Sequence, residues 1–127
     1  MEQTRTAADD YSPLTLAFVG DGVYDLLVRE HLVRQANRPV GELNKTKVAM
    51  VNCKSQAKFA SRLMPSLTEK EVAVYKRGRN AAPKSTAKNG TIAEYHSATG
   101  LECLFGYLYL NGEKDRISEL FEMIINL

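Results

Sequence analysis

The stretch from Leu14 to Val28, LTLAFVGDGVYDLLV, limits the fold more than any other part of this chain. Ser12 is a good N-cap residue, and Pro13 suits the first position of a helix, where no backbone N–H is needed. We therefore predict a helix from Ser12 to about Gln35. Its apolar side chains cover nearly the whole circumference, which is typical of a helix at the centre of a fold.

Asp21 interrupts this apolar surface between two glycines, Gly20 and Gly22. A carboxylate in apolar surroundings is costly unless a cation or several hydrogen-bond donors meet it. Each glycine also costs about 1 kcal/mol relative to alanine inside a helix. A packed neighbour or a ligand is therefore expected to come close to the backbone at this point.

The rest of the chain has helical periodicity and no strand pattern, so we predict an all-α fold with about five main helices. After the first helix, the predicted segments are Val40 to about Leu63, Ser66 or Thr68 to about Lys76, Thr91 to Leu110, and Asp115 to Leu127, with a loop from Arg77 to Gly90. Residues 1–11 are polar and are predicted to be a flexible tail, which leaves residues 12–127 as one domain.

Composition favours a cytoplasmic protein. Cys53 and Cys103 stand alone within helical patterns, as expected for buried thiols in a reducing compartment. The segment before Tyr11 contains no apolar run of the kind found in a signal peptide. The longest apolar stretch, Leu104 to Leu110, is far shorter than the ~20 residues that a membrane-spanning helix needs, so we predict no membrane association.

Positive charge is concentrated in the middle of the chain. The net charge is +2, but residues 43–93 carry eleven Lys or Arg residues and two Glu residues. Solvated helix faces are the usual explanation of such a run. A segregated positive region is also the pattern expected in a protein that binds a polyanion such as nucleic acid.

Glu102 is a second acid in apolar surroundings, on a predicted helix face with Tyr95 and Phe105 and one turn from Gly106. Two such acids on two central helices, Asp21 and Glu102, have two simple explanations. They could be hydrogen-bonded structural groups, which is the commoner outcome for isolated buried acids. They could instead hold a divalent cation such as Mg²⁺, which prefers carboxylate, water and phosphate oxygens.

Two further polar residues leave alternatives open. Asp25 lies one turn beyond Asp21, where it suits either an ion pair with Arg29 or an outer position at the same site. His96 has no other His or Cys at metal-ligand spacing, which favours a hydrogen-bonding role. Its position beside Ser97 also suits a contact with a phosphate.

Three segments of the sequence resemble one known family. They are LAFVGDGVY at residues 16–24, RGRNA at 77–81 and YHSATGLE at 95–102. Residues 18–21 are similar to the E-F-L-G-D signature of the ribonuclease III catalytic domain, and residues 102–110 are similar to its later D-x-x-E-A-L-I-G pattern. The resemblance runs from Ser12 to the C terminus, and it is closer to Mini-ribonuclease III, the short bacterial branch without a double-stranded-RNA-binding domain.

The resemblance implies an endoribonuclease that depends on Mg²⁺, with Mn²⁺ as an alternative ion, and cleaves double-stranded RNA. Asp21 and Glu102 fall at the family's catalytic, metal-binding acids. There the ion would activate water against a phosphodiester and leave a 5′-phosphate and a 3′-hydroxyl. Full-length ribonuclease III has further acids at the positions of Leu14, Ala17 and Thr99. Their absence leaves open an RNA-binding scaffold without cleavage. A separate alternative is a helical interaction module in which the two buried acids are structural.

The resemblance also implies a homodimer with the first helix at the interface and Phe18 packed into the partner subunit. Two active sites would then face one duplex, and the link of the short branch to 23S ribosomal RNA maturation implies a ribosomal RNA precursor as substrate. Basic residues should meet this RNA, because an A-form duplex is recognised through its shape, phosphates and 2′-hydroxyls. The predicted RNA contacts are Lys45, Lys47, Lys54, Lys58, Arg77, Arg79, Lys84 and Lys88.

Overall fold

The structure is a computed structural model that describes residues 5–83 and 90–126. These residues form six α-helices, as the helical periodicity of the sequence leads us to expect. The helices are α1 (Pro13–Gln35), α2 (Val40–Val51), α3 (Cys53–Leu63), α4 (Glu69–Ala81), α5 (Ile92–Leu110) and α6 (Lys114–Ile125), with short 3-10 turns at Ala7–Asp10 and Met64–Ser66. No strand occurs in these residues, so the predicted all-α fold is confirmed. None of the helices in the described part is long and apolar enough to cross a membrane.

Side-chain caps begin three of the helices where the sequence predicts them. The Ser12 side chain accepts a hydrogen bond from a backbone N–H in the first turn of α1. Thr68 begins α4 in a capping box with Glu71, and Thr91 begins α5 in a capping box with Glu94. Each cap satisfies a backbone N–H that has no partner within its helix, and this local chemistry is why the three starts were predictable.

The prediction of one helix over residues 40–63 is wrong, because the chain breaks at Asn52. Asn52 has an extended conformation (φ −69°, ψ 159°) and is both the C-cap of α2 and the N-cap of α3. Its side chain accepts a hydrogen bond from the Ser55 N–H and donates to the carbonyls of Val48 and Ala49. One asparagine thus satisfies both helix ends and competes with a continuous helix.

The loop predicted for residues 77–90 is wrong in its first part. Helix α4 continues through Ala81 and ends at Ala82, which has an extended conformation and is buried. Gly78 lies against α5, so the packing of α4 continues past the predicted helix end. Residues 84–89 lie outside the described residues.

Residues 5–11, which belong to the segment predicted to be a flexible tail, pack on the helices. Ala8 is fully buried, and its N–H donates to the Asn111 side chain at 3.0 Å. The hydroxyls of Thr6 and Tyr107 are 3.1 Å apart. These contacts join distant parts of the chain and have no periodic pattern, so the polar composition of the segment did not reveal them.

Helices α1 and α5 cross at the centre of the fold with their backbones in contact. A Cβ at Gly20 would overlap the carbonyl oxygen of Glu102 and would lie 2.8 Å from the backbone nitrogen of Gly106. A Cβ at Gly106 would overlap the carbonyl oxygen of Leu16. Nothing lies within 4 Å of the corresponding point at Gly22. The predicted close approach therefore occurs at Gly20, where a helix is the neighbour, and not at Gly22.

One face of α1 is uncovered in the single chain, although its apolar periodicity is typical of a helix at the centre of a fold. Leu16, Tyr24 and Val28 are buried in the core, whereas Phe18 is 82% exposed and Leu26 is 65% exposed. Apolar periodicity identifies the side chains that avoid water but not the chain that covers them. The excess of apolar residues on α1 therefore forms an exposed surface.

The two cysteines differ in burial. Cys103 is fully buried on α5, and burial raises the pKa of its thiol to about 11. Cys53 is half-buried at the start of α3, so its predicted burial is only partial. The raised pKa keeps the Cys103 thiol protonated and unreactive, as expected for a core residue.

A buried ion pair joins α4 to α6. The Glu71 side chain is 7% exposed and accepts hydrogen bonds from Nε and Nη2 of Arg116, both at 2.9 Å. Burial alone would raise the pKa of Glu71, but the hydrogen bonds and charge of Arg116 hold it below its ordinary value of 4.5. Folding therefore depends on the charged form of Glu71.

We expect Arg116→Met to lower the free energy of unfolding by about 3 kcal/mol near neutral pH, because it leaves a buried carboxylate unpaired. Folding lowers the pKa of Glu71, so the stabilisation is present above its ordinary value of 4.5 and is lost as the pH falls through the folded pKa. Urea denaturation at neutral and acidic pH measures both effects. The control is Glu119→Gln, at the exposed partner 3.5 Å from Arg116. A deficit as large in acid as at neutral pH would contradict this account.

Candidate functional site

The crossing of α1 and α5 brings Asp21 and Glu102 together. Gly20 lies directly on the backbone of Glu102, and Asp21 is the next residue along α1. Asp21 is exposed and Glu102 is half-buried, so the pair is open to solvent on the side of Asp21. The two acids that the sequence singled out thus form one site, although Asp21 is not buried as predicted.

Two carboxyl groups meet at this site. Burial and the neighbouring Asp21 carboxylate raise the pKa of Glu102 well above its ordinary value of 4.5, while a hydrogen bond from Gln56 acts in the opposite direction. Within residues 5–83 and 90–126, neither acid forms a salt bridge with a basic side chain. A cation between the carboxylates would remove the repulsion that the protein itself leaves uncompensated.

Gln56 is a buried polar residue beside Glu102 that the sequence reasoning missed. Its side chain is 2% exposed, and its Nε2 donates to Oε2 of Glu102 at 3.3 Å and to the Val51 carbonyl at 2.8 Å. Its Oε1 is buried and has no hydrogen-bond partner among the described residues. A signal was present, because Gln56 shares the buried face of α3 with Ala60 and Leu63 at helical spacing, where an apolar residue is expected.

The helix break at Asn52 is what places Gln56 beside Glu102. The end of α2 leaves backbone carbonyls without partners inside the helix, and side chains supply the missing donors. These bonds are Gln56 to Val51 (2.8 Å), Tyr24 to Met50 (3.1 Å) and Ser55 to Ala49 (2.6 Å). Burial and the nearby Glu102 raise the pKa of Tyr24, so its hydroxyl remains a neutral donor.

The residues at the site fit a hydrated divalent cation. In the part of the chain that the structure describes, no group of three or more His, Cys, Asp or Glu residues lies together, so Asp21 and Glu102 are the available anionic ligands. Mg²⁺ commonly binds through one or two carboxylates and keeps several waters. The uncompensated pair, its opening to solvent and the unpartnered Oε1 of Gln56 all agree with such an ion.

Six of the eight predicted RNA contacts fall within the described residues. Four are exposed, namely Lys45, Lys54, Lys58 and Arg77. Arg79 is half-buried, with its guanidinium 5.9 Å from the centre of the Tyr75 ring. Lys84 and Lys88 lie outside the described residues. The structure therefore leaves four basic side chains accessible to a polyanion.

Lys47 and Asp25 lie together in an ion-pair cluster. Lys47 Nζ is 3.4 Å from Asp25, and the Lys47 side chain is only 16% exposed. Arg29 Nε donates to the same carboxylate at 2.5 Å, which is the pairing that the helical spacing favoured. Burial would raise the pKa of Asp25, but the two cations lower it. Asp25 is thus already compensated, unlike Asp21.

His96 takes part in a local hydrogen bond. Its Nε2 lies 3.1 Å from the carbonyl oxygen of Pro83, which follows α4. The imidazole at the start of α5 therefore contacts the end of the segment that follows α4. This geometry agrees with the hydrogen-bonding role that its isolated position in the sequence favoured.

A family model and two curated proteins that match this chain point to the same family. The model of the Ribonuclease III domain matches residues 14–113. The protein called Mini-ribonuclease 3 in Thermoanaerobacter sp. (strain X514) is 40% identical over 124 residues, which is 98% of this chain and 87% of the relative. The Mini-ribonuclease 3 of Brevibacillus brevis is 45% identical over 111 residues, which is 87% of this chain and 83% of the relative.

A solved structure has the same fold. The crystal structure of a Fusobacterium nucleatum protein from a structural genomics consortium superposes with a TM-score of 0.85 at 31% sequence identity. The match covers 93% of this chain and 96% of the other. The helical arrangement that brings Asp21 and Glu102 together is therefore part of a fold that the Fusobacterium nucleatum protein shares.

Proposed function

Since this chain belongs to the ribonuclease III family, and within it to the Mini-ribonuclease III branch, we propose that it is an endoribonuclease that cleaves double-stranded RNA. The observation that carries the proposal is the solvent-open pair of Asp21 and Glu102, which no basic side chain of the described residues compensates. We further propose that it acts in the cytoplasm on a 23S ribosomal RNA precursor and leaves a 5′-phosphate and a 3′-hydroxyl.

Asp21 and Glu102 would hold Mg²⁺, or Mn²⁺ in its place. Bound there, the ion supplies Lewis acidity toward water and toward a phosphate oxygen. Asp21 is exposed and therefore accessible to a ligand, whereas Glu102 is half-buried and accepts a hydrogen bond from the Gln56 amide. Two carboxylates suit one ion, and further coordination would come from water and RNA.

The test is incubation of end-labelled duplex RNA with the protein in Mg²⁺ and, separately, in EDTA. We expect cleavage in Mg²⁺ and none in EDTA. Downstream fragments of 3′-labelled RNA should be degraded by an exonuclease that requires a 5′-phosphate, and upstream fragments of 5′-labelled RNA should accept a poly(A) tail at their new 3′-hydroxyl. The missing acids at Leu14, Ala17 and Thr99 support one second candidate, a scaffold that binds duplex RNA without cutting it. Binding without cleavage in Mg²⁺ would favour that candidate.

We expect the exposed lysines to contribute affinity through phosphates. Each phosphate contact makes the logarithm of affinity fall by about 0.9 for each tenfold rise in salt concentration. Lys54→Gln should therefore weaken binding for all duplex sequences and lower the salt slope by about 1. Fluorescence anisotropy in EDTA measures binding without cleavage.

Arg34→Gln is the control for Lys54→Gln, because Arg34 lies on α1, outside the basic region, and is paired with Glu30. Its salt slope should match that of the wild type. Equal slopes for the Lys54 variant and the wild type would remove Lys54 from the RNA-binding surface. A wild-type affinity that barely changes with salt would contradict the electrostatic account as a whole.

We propose that the exposed face of α1 is the dimer interface, with Phe18 packed into the partner subunit. Phe18 is 82% exposed, and the same helix lines an apolar groove with Val19, Val23 and Leu26. An isolated subunit would leave these side chains in water, whereas a two-fold dimer would cover them. The two active sites of such a dimer would serve the two strands of one duplex.

Phe18→Ala is expected to weaken the dimer by at least about 2 kcal/mol, or about 30-fold in dissociation constant, because large aromatic residues dominate interface energies. Sedimentation across a range of protein concentrations measures the shift. Val40→Ala is the control, since Val40 is 80% exposed but begins α2 rather than lying on α1. A wild type that sediments as a monomer, or two variants that behave alike, would refute this interface.

A further inference from the structure

Gln56 presents a buried carboxamide that the protein satisfies only in part. The side chain is 2% exposed, so water does not reach it freely. Both amide hydrogens have acceptors, namely Oε2 of Glu102 and the carbonyl of Val51. The Val51 carbonyl fixes the orientation of the amide, because flipping would set Oε1 against an oxygen that can only accept. The orientation that leaves Oε1 without a partner is thus determined by its surroundings.

An unpaired buried amide oxygen destabilises the folded protein, because it loses its hydrogen bonds to water and gains none in return. Gln56 shares the buried face of α3 with Ala60 and Leu63, so a leucine or methionine could fill the same space without that cost. The hydrogen bond to the Val51 carbonyl gives Nε2 a structural role, but it gives no role to the buried Oε1. A hydrogen-bond donor absent from the described protein residues would complete the group.

A donor that reaches Oε1 of Gln56 would lie close to Glu102. Nε2 of Gln56 donates to Oε2 of Glu102 at 3.3 Å, so the carboxamide lies at the inner side of the acid pair. Mg²⁺ keeps several of its waters when it binds to one or two carboxylates, and each of these waters is a hydrogen-bond donor. Groups that orient the ligands of a metal ion commonly change its affinity 10–100-fold when they are removed.

We propose that Gln56 is a positioning residue of the metal centre. Its Nε2 holds the Glu102 carboxylate in one orientation, and its Oε1 accepts a hydrogen bond from a water that accompanies the ion. The inference rests on the proposed function, since it requires a cation at Asp21 and Glu102. It adds a residue from α3 to a site otherwise built from α1 and α5.

The test is the affinity of the protein for Mn²⁺, measured by electron paramagnetic resonance without RNA. Gln56→Met should weaken Mn²⁺ binding about 10–100-fold while the protein remains folded by circular dichroism. Ser55→Ala is the matched control, because its hydroxyl caps the Ala49 carbonyl at the same helix break but bonds neither acid. If Gln56 were merely a cap, both variants would bind Mn²⁺ with wild-type affinity, and the inference would be wrong.

A measurement on the wild type covers the case in which Gln56→Met does not fold. The side-chain amide resonances of Gln56 should shift on titration with Mg²⁺. The midpoint of this shift should equal the Mg²⁺ concentration at which the side-chain resonances of Glu102 are half-shifted. Unchanged Gln56 resonances at saturating Mg²⁺ would overturn the inference.

Asp21→Asn separates failure of this inference from failure of the proposed function. If the wild type binds Mn²⁺, Asp21→Asn abolishes binding and Gln56→Met does not weaken it, the role of Gln56 alone is refuted. If the wild type does not bind Mn²⁺, or Asp21→Asn binds it equally well, the metal centre itself is refuted, and the role of Gln56 fails with it.

Discussion

Asp21→Asn is expected to reduce cleavage of duplex RNA by more than about 100-fold, the upper end of the loss caused by removing a residue that only supports a metal ligand. The substituted carboxamide would retain one neutral oxygen but not the charge that attracts a divalent cation. RNA binding should persist, because the exposed lysines that we assign to phosphate contact are unchanged. Single-turnover cleavage at saturating Mg²⁺, together with anisotropy in EDTA, separates the two quantities.

The same variant should fold at least as stably as the wild type in EDTA. Asp21 is exposed and lies beside Glu102, and no salt bridge to it occurs within the described residues. Removing its charge relieves the repulsion that contributes to the raised pKa of Glu102. A structural role for the acids predicts the opposite, a clear loss of stability. Thermal melting in EDTA therefore distinguishes the enzyme from an interaction module.

Asp25→Asn is the control for charge removal on the same helix. Asp25 lies one turn along α1 but is compensated by Arg29 and Lys47. Its replacement should leave the cleavage rate at saturating RNA close to that of the wild type. Equal losses in the Asp21 and Asp25 variants would show a general effect of charge on α1, and cleavage by Asp21→Asn at the wild-type rate would exclude Asp21 as a catalytic ligand.

The features that could be predicted from sequence depend on local chemistry. Ser12, Thr68 and Thr91 begin helices because their side chains accept hydrogen bonds from nearby N–H groups, and their neighbours in sequence are enough to reveal this. Asp21 and Glu102 were identifiable as acids in apolar helical patterns. Their resemblance to family motifs then predicted that they share a site, and the structure brings them together.

The features that escaped prediction depend on partners distant in sequence. Asn52 is compatible with a helix interior or with a cap. Its hydrogen bonds to both α2 and α3 show that it is a cap. Gln56 reveals its role through Glu102 on another helix. Phe18 fits an apolar helix whether or not the chain covers it, so periodicity alone did not reveal its exposure. Only the family resemblance indicated it, through the predicted dimer interface.

Gly20→Ala is expected to lower the free energy of unfolding strongly, because Gly20 lies where α1 and α5 are in backbone contact. The new methyl group would overlap the carbonyl oxygen of Glu102, and the nearby backbone nitrogen of Gly106 would also have to move. Backbone atoms cannot turn aside as a flexible side chain can, so the two central helices must separate. Overpacking of cores commonly costs 1–3 kcal/mol, and we expect a loss above about 3 kcal/mol here.

Gly22→Ala provides a comparison two residues away on the same helix. Within its own subunit, Gly22 is exposed and has nothing within 4 Å of the added methyl group, so the higher helix propensity of alanine should stabilise one subunit by up to about 1 kcal/mol. Gly22 also lies one turn from Phe18 on the face that we propose as the dimer interface, so its variant reports any contact made there as well. Gly41→Ala on α2 is equally open and serves as a second control away from α1. Chemical denaturation of all four proteins at one protein concentration measures the differences.

The spacing at Gly20 also connects stability to the metal site. Asp21 follows the glycine that contacts Glu102, so separation of the helices at Gly20 moves the two carboxylates apart. Any Gly20→Ala protein that remains folded should therefore bind Mn²⁺ more weakly than Gly22→Ala, whose helix spacing is unchanged. If Gly20→Ala were as stable as Gly22→Ala and bound Mn²⁺ equally well, close backbone contact would not be what holds the two acids together.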